Sequence, residues 1–432
     1  MGPHRSTDLG SLRIGNRMST TDPPSRRVLA SSVTSAVSAG LVAVVALGLA
    51  RWLGPAEFGT YTVVSTVAVA GSGLLTWNVG MAVMHRLPTA DPVQATRLMG
   101  TALSVVLTTI GVVSIAMIGI GKLLYVAWGI PTEITWHAFA LAVAQSINAL
   151  GDCSLRGRRR FATSAAVRLA AAVGYALIAM VMLLRGVRHC LPFVDAFAVV
   201  TVVAGATACL IAGARPHGWV RSSVHELYGH GMPVTLTSLL ISVLFTVDSM
   251  MLMHYAGPAA VGVYSVYNGM PRRLAGILMN DGVGLALLPR LAVIDTRMAL
   301  QWVRDHTPLL LGAGTLGFAV VCVPLCLLVG DQYGFSVVAM VISGAGIAMH
   351  CLMILLGFVL TMDGSHGSRS HLVAVSLGFP VGIVCLWVII RSATPMAGLW
   401  AFAAASAVIS SAIALIAGWN QDRGGTREGT RR

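Results

Sequence analysis

The chain has 432 residues, of which 56% are hydrophobic and 10% are charged. Soluble domains carry about 25% charged residues, so this composition excludes an ordinary soluble enzyme. The formal net charge of +13 would suit a nucleic acid or a membrane surface. Because the basic residues sort by predicted loop, as described below, the charge favours a membrane surface, and no nucleic-acid partner is expected.

Hydropathy predicts an all-α polytopic membrane protein with about twelve transmembrane helices, since a bilayer span needs about 20 mostly apolar residues. A disordered cytoplasmic tail is predicted at 1–27 and a basic cytoplasmic tail at 419–432. The spans divide into two six-helix bundles, 28–214 and 232–418, which a cytoplasmic linker at 215–231 joins. The predicted spans are 28–50, 61–84, 99–120, 136–155, 161–184, 196–214, 232–256, 263–288, 307–329, 337–361, 371–390 and 397–418.

The eighth span, 263–288, is the least apolar, and the distribution of basic residues decides whether it crosses the membrane. With twelve spans and a cytoplasmic N-terminus, 21 of the 29 basic residues fall on the cytoplasmic side and 5 on the other. Omitting this span would invert every later loop and place the Arg-rich C-terminus outside. The positive-inside rule therefore predicts a multi-pass protein of the cytoplasmic membrane with both termini cytoplasmic.

A short motif occurs twice in the chain. Gly54–Tyr61 and Gly257–Tyr264 both read G-P-A-x-x-G-x-Y, and they start 203 residues apart. Six predicted spans lie between the copies, so both copies have the same orientation in the membrane, as in transporters built from parallel halves. Gly-Pro favours a tight turn, and the second Gly allows the next helix to begin close to its neighbour. The repeat favours a duplication over two unrelated hairpins with similar turns.

Four segments carry a resemblance to a known family. They are Ala50–Tyr61, Asn78–Gly80, Gly157–Phe161, and Val247-Asp248 followed by Gly257–Tyr264. In these segments the chain resembles the polysaccharide (oligosaccharidyl-lipid) flippases, a branch of the multidrug/oligosaccharidyl-lipid/polysaccharide exporter superfamily. Asn78 departs from the family pattern, which often has Asp there. The resemblance implies two six-helix bundles around a central cavity, and movement of a lipid-linked saccharide from the inner to the outer leaflet.

Three ionisable residues are predicted deep within the second bundle. Asp248 precedes Gly257 by nine residues and Arg272 follows Gly262 by ten, which puts both about 13 to 15 Å below the outer turn on adjacent helices. Because an ionisable residue in a span normally faces the bundle interior or a partner, we expect Asp248 to pair with Arg272 or Arg273. This pair is either purely structural or a coupling site. Consecutive residues on a helix point about 100° apart, so one arginine is expected to hold Asp248 while the other faces the cavity.

Arginine suits a pyrophosphate group because its planar fork donates two parallel hydrogen bonds. Pro271 lies directly before the two arginines of the eighth span. It removes a backbone hydrogen bond and can kink the helix, which would open space beside them. The candidate substrate-binding residues are Arg168, Arg272 and Arg273.

Arg168 lies seven residues into the fifth span and either snorkels to the interface or faces the cavity. Asp281 lies at similar depth in the other half, and we expect it to be a counter-charge for Arg168 in one conformation. Asp281 and Asp248 are the candidates for a coupling role or a structural ion pair. Asp152 is expected to pair with Arg156, four residues on.

The leading functional hypothesis is a flippase for a polyprenyl-pyrophosphate-linked oligosaccharide that works by alternating access. A cation-coupled multidrug exporter of the same superfamily would need more acidic than basic residues in its cavity. A membrane-embedded saccharide polymerase or glycosyltransferase usually needs a large outward loop, and a major-facilitator-type carrier is a further alternative.

No catalytic residue, cofactor or metal ligand is predicted, because the phosphate-binding pattern G-x-x-x-x-G-K-[ST] is absent and the His and Cys residues lack metal-ligand spacing. The expected partners are the lipid-linked saccharide, membrane lipids, and a polysaccharide polymerase or glycosyltransferase. The chain itself is expected to be a monomer.

Overall fold

The computed structural model describes residues 26–77, 79–216, 224, 227, 232–279, 296–362 and 364–429. Within these ranges the chain forms helices and no strand, which confirms the all-α class. The helices are α1 Arg26–Thr76, α2 Val79–Arg86, α3 Pro92–Trp128, α4 Thr132–Gly157, α5 Phe161–Leu184, α6 Leu191–Ala212, α7 Met232–Tyr264, α8 Met270–Ile277, α9 Thr296–Val329, α10 Val337–Met362, α11 Gly364–Ile390 and α12 Pro395–Gly429.

Ten segments of the described chain are long and apolar enough to cross a membrane, and two of them fold back on themselves. The reversal in α1 is at Gly54 (φ 80°, ψ 172°), and the reversal in α7 is at Gly257 (φ 82°, ψ 173°). The residues eight positions before and eight positions after Gly54 line one small gap, together with those at the same offsets from Gly257. The two arms of each hairpin therefore lie side by side. Counting each reversal as two passes gives the twelve predicted passes, six in α1–α6 and six from α7 to α12.

Each reversal depends on a glycine followed by a proline. The backbone angles of Gly54 and Gly257 lie in a region that is essentially restricted to glycine. Proline then interrupts the helical hydrogen bonds, because it has no N–H group. The predicted turns are therefore present, although the helices continue directly on both sides with no separate loop. We call the end of the molecule that holds both turns the Gly-Pro end.

The second glycine of each motif brings the two halves into backbone contact. A Cβ added to Gly59 would lie 1.8 Å from the Pro258 carbonyl oxygen, and a Cβ added to Gly262 would lie 1.9 Å from the Pro55 carbonyl oxygen. Real Cβ atoms essentially never approach a heavy atom this closely. The two motif copies therefore pack reciprocally, and we call this pairing the Gly-Pro contact.

Two backbone carbonyls next to the first Gly-Pro turn, one of them left without a donor by Pro55, are bound by the other half. Pro55 has no N–H to donate to the Arg51 carbonyl four residues earlier. Gln332 Nε2 donates to this carbonyl at 2.9 Å, and the Tyr333 hydroxyl donates to the Ala50 carbonyl at 2.6 Å. Because Gln332 and Tyr333 belong to the turn between α9 and α10, the first reversal is tied to the C-terminal half.

The structure differs from the predicted boundaries where a helix is interrupted or extends beyond the apolar segment. The predicted span 61–84 is interrupted at Trp77, whose φ is 46°, and the chain continues in the short helix α2. Helix α9 already includes Thr296, ahead of the predicted start at 307, and α12 continues to Gly429 instead of 418. Hydropathy locates the apolar layer, whereas backbone hydrogen bonds continue past it. Residues 1–25, Asn78, Asp281 and most of the linker 215–231 lie outside the described residues.

We predict that Gly262→Ala separates the two halves at the Gly-Pro end, because its methyl group would overlap the Pro55 carbonyl oxygen. Spin labels on Glu133→Cys and Asp331→Cys, both exposed at this end, would report the separation by pulsed electron paramagnetic resonance in a background without native cysteines. Gly48→Ala is the matched control, since its added Cβ meets no atom within 4 Å. Identical distance distributions in the three proteins would contradict the Gly-Pro contact.

Candidate functional site

A cavity of about 620 Å³ lies between the two halves. Its walls come from α1, α4, α5 and α6 on one side and from α8 and α9 on the other. It extends from Tyr61 to Ser38, which lie about 10 Å and about 24 Å along the helix axes from Gly54. The cavity therefore lies below the Gly-Pro contact. Its polar lining residues are Ser38, Tyr61, Ser65, Gln145, Asn148, Arg168, Thr201 and Arg273.

Two arginines from opposite halves line this cavity. Arg168 lies on α5 and Arg273 lies on α8. No Asp or Glu is present among the described residues that line it. Because apolar walls strengthen the field of these charges, the cavity is suited to an anionic group. Arg273 therefore faces the cavity, and Arg168 faces it as well, which was one of its two predicted positions.

Asp152 holds the guanidinium of Arg168. Arg168 Nε lies 3.5 Å from Asp152 Oδ1, and Arg156 Nε lies 2.9 Å from Asp152 Oδ2. The Ser164 hydroxyl donates a further hydrogen bond to the same carboxylate. The expected pair of Asp152 and Arg156 is thus present, and it includes Arg168. The predicted counter-charge Asp281 lies outside the described residues.

Asp248 lies in a buried polar network at the centre of the C-terminal half. Its side chain is 1% exposed, and Arg272 Nη1 lies 3.3 Å from its Oδ2. The Tyr264 hydroxyl donates to Oδ2 at 2.6 Å, and the Ser249 hydroxyl donates to Oδ1 at 2.8 Å. Asn268 Nδ2 donates to the Tyr264 hydroxyl at 2.5 Å. The partner of Asp248 is therefore Arg272, which leaves Arg273 as the cavity-facing arginine of the pair.

Two aromatic rings confine the guanidinium of Arg272. Its Cζ lies 5.6 Å from the ring centre of Phe245 and 5.1 Å from that of Phe402. At such distances a cation is attracted to the ring faces. Arg272 is 16% exposed, so its charge is neutralised and enclosed. This arrangement separates the roles of two arginines that are consecutive in the sequence.

Pro271 changes the backbone hydrogen bonding of the helix that contains it, as expected for proline. The Tyr267 carbonyl lies four residues earlier and receives no backbone N–H from Pro271. This carbonyl instead accepts hydrogen bonds from the Ser343 hydroxyl and, at 3.4 Å, from the Cys322 thiol. Residues Ser265–Gly269 form a π-helical turn, a feature that is frequent at functional sites. Arg272 and Arg273 therefore follow closely after a locally widened turn of the helix.

Several residues of these networks were not anticipated from the sequence. Tyr264, Asn268 and Arg272 are spaced four residues apart, and this helical spacing could have linked them beforehand. Gln145 and Asn148 are amide side chains within an otherwise apolar helix, which is a signal for an internal polar surface. By contrast, Phe245 and Phe402 are ordinary apolar residues in sequence, and nothing in the pattern connects them with Arg272.

Comparison with known proteins gives a family match and a shared fold. A family profile described as "Polysaccharide biosynthesis protein" matches residues 26–294. No curated protein sequence matches the chain. An inward-facing multidrug resistance MATE family transporter of the MOP superfamily aligns with a TM-score of 0.59 at 15% identity, covering 90% of this chain and 96% of the transporter.

Two further solved structures have the same fold. A MOP superfamily transporter from Pyrococcus furiosus has a TM-score of 0.56 at 13% identity, covering 92% of this chain and 95% of its own. The lipid II flippase MurJ, in an inward closed conformation, has a TM-score of 0.53 at 11% identity, covering 89% of this chain and 86% of its own. At these identities the similarity establishes the architecture, with two parallel bundles around a central cavity.

We predict that Arg272→Ala lowers the free energy of unfolding by about 3–5 kcal/mol, because it leaves the Asp248 carboxylate buried without a counter-charge. Thermal unfolding in detergent would measure the loss. The double variant Asp248→Asn/Arg272→Gln removes both charges and should recover part of it. Arg369→Ala, at an exposed arginine, is the control. An equal loss in the single and double variants would show that charge balance is not what the pair contributes.

Proposed function

The chain belongs to the polysaccharide biosynthesis protein family, and we propose that it is a flippase for a polyprenyl-pyrophosphate-linked oligosaccharide. In this proposal it moves the saccharide from the inner to the outer leaflet of the cytoplasmic membrane for cell-surface polysaccharide synthesis. The observation that carries the proposal is the cavity between the halves, which Arg168 and Arg273 line from opposite sides. The fold of MOP-superfamily transporters supplies the scaffold.

The two arginines would bind the pyrophosphate. The pyrophosphate is the strongly anionic part of such a substrate, and a guanidinium can donate two parallel hydrogen bonds to phosphate oxygens. Asp152 orients Arg168 on the N-terminal side. Arg273 has no such carboxylate partner among the described ion pairs, and the pairing of Asp248 with Arg272 leaves its charge for the cavity. A bound pyrophosphate would thus connect the two halves.

The remaining polar residues would contact the saccharide. Gln145, Asn148 and Thr201 present amide and hydroxyl groups from α4 and α6, and such groups both donate and accept hydrogen bonds. The rest of the lining is mainly Ala, Val and Leu. The prenyl chain is too apolar for a wet cavity and would remain in the lipid.

Alternating access requires the Gly-Pro contact to open. We assign the Gly-Pro end to the outer surface, because the positive-inside rule places the opposite end in the cytoplasm. In this assignment the described conformation is closed to the outside, since Gly59 and Gly262 hold the two halves together above the cavity. Substrate release would then need the halves to separate at these glycines.

The alternatives predict different cavities and turns. A cation-coupled drug exporter needs acidic residues in the cavity, whereas the described lining has two arginines and no carboxylate. A polymerase or glycosyltransferase usually presents a large outward loop. The described turns at the Gly-Pro end are short, the longest being the seven residues from 330 to 336. The lining favours an anionic substrate, and the short turns favour transport over polymerisation or glycosyl transfer.

We predict that Arg273→Ala weakens binding of a polyprenyl-pyrophosphate saccharide by about 10- to 100-fold, since hydrogen bonds to charged groups contribute about 1.5–3 kcal/mol. A deletion strain should accumulate polyprenyl-linked sugar in the inner leaflet, and the Arg273→Ala gene should fail to remove it. Binding to purified protein and the accumulated lipid would be measured together.

Three variants make this test specific. Arg273→Lys retains the charge but not the fork and should rescue partly. Arg369→Ala, at an arginine outside the cavity, should rescue fully. Arg168→Ala should resemble Arg273→Ala. Full rescue by Arg168→Ala and by Arg273→Ala would remove the pyrophosphate assignment, and absence of any accumulated lipid-linked sugar in the deletion strain would count against transport itself.

A further inference from the structure

An open groove runs along the outside of the C-terminal half. Helices α9 and α12 each pack against α10 and leave the groove between them. It consists of two adjoining cavities of about 660 and about 480 Å³, which share Leu311 and Met349. The smaller one, which we call the lower groove, lies away from the Gly-Pro end. The floor is one face of α10, formed by Ala345, Met349, Leu352 and Leu356.

The lower groove and the adjoining end of the larger cavity together have the length of one lipid chain. Along α12 it extends from Gly418 to Ser410, and the adjoining cavity continues from Ala407. The 11 helical steps from 407 to 418 span about 16 Å at 1.5 Å per residue, and the lower groove accounts for about 12 Å of this length. Half of a hydrocarbon core of about 30 Å is about 15 Å. The walls are mostly apolar, and the small side chains of α12 leave room for a chain.

An arginine lies at the mouth of the lower groove. Arg304 and Gln301 line it on α9, beside Thr307. Arg304 precedes Val329, at the Gly-Pro end of α9, by 25 residues, or about 38 Å of helix. This exceeds the hydrocarbon core of about 30 Å, so Arg304 lies at the level of the lipid headgroups. In the described part of the chain, no carboxylate oxygen lies within 4 Å of Arg304.

We propose that the lower groove binds an anionic glycerophospholipid of the surrounding leaflet, with its phosphate at Arg304 and one acyl chain against Leu352 and Leu356. The groove and the central cavity share no lining residue. The site is therefore separate from the central cavity, and it does not depend on the proposed function. The lining of the larger cavity, towards the Gly-Pro end, contains no charged residue, so the lower groove is the part that selects an anionic headgroup.

Native mass spectrometry of the purified full-length chain tests this site. The protein would be titrated separately with phosphatidylglycerol and phosphatidylcholine. Wild type should retain one phosphatidylglycerol in preference to phosphatidylcholine. Arg304→Ala should reduce that preference by about fivefold, the contribution of one basic residue near a lipid surface. Ala414→Phe, which fills the exposed wall of the lower groove, should weaken binding of both lipids.

Matched variants separate the site from general effects. Arg369→Ala removes an exposed arginine outside the groove, and Val381→Phe adds a ring at an exposed position on α11; both should bind as wild type does. Ser411→Leu repeats the filling test one turn from Ala414. The proposal is overturned if wild type retains the two lipids equally. It is also overturned if Arg304→Ala and both filling variants retain phosphatidylglycerol as wild type does.

Discussion

The architecture depends on a backbone contact that two glycines allow. At Gly59 and Gly262 the two halves approach so closely that a single added methyl group would overlap a carbonyl oxygen. Because each glycine meets the proline of the other motif copy, the contact is symmetric although the two sequences differ elsewhere. Gln332 and Tyr333 also bind the carbonyls of Arg51 and Ala50, next to the first Gly-Pro turn, across the interface. One duplicated motif thus supplies a chain reversal and the closure of one end.

The second constraint is the low dielectric of the membrane, which makes every internal charge expensive unless it has a partner or faces water. Two consecutive arginines meet this cost in different ways. Arg272 is neutralised by Asp248 and enclosed by aromatic rings, whereas Arg273 faces the cavity. Asp248 does not line the cavity in this conformation. A structural role for the ion pair is therefore favoured here over a coupling role.

Much of this arrangement was predictable from the sequence because it depends on local rules. Span length, the repeated motif and the loss of a donor at Pro271 follow from hydropathy, spacing and covalent chemistry. The pairing of Asp248 with an arginine followed from their shared depth. The choice of Arg272 did not, because the rings beside it, Phe245 on α7 and Phe402 on α12, are ordinary apolar residues in the sequence. The break at Trp77 was also missed, because hydropathy does not report a backbone angle such as its φ of 46°.

Under the proposed function, the two cavity arginines also provide a reason for the halves to move. Arg168 and Arg273 carry like charges across a cavity with mainly apolar walls. Asp152 is shared between Arg168 and Arg156 and so offsets only part of this charge, and the two cavity arginines therefore repel each other when no anion is bound. A pyrophosphate between them would replace this repulsion by attraction and favour closure around the substrate. Tyr61 lines the cavity two residues after Gly59. The same arm of α1 therefore contacts the substrate and forms the Gly-Pro contact. A shift of this arm on substrate binding would act directly on the contact that closes the Gly-Pro end.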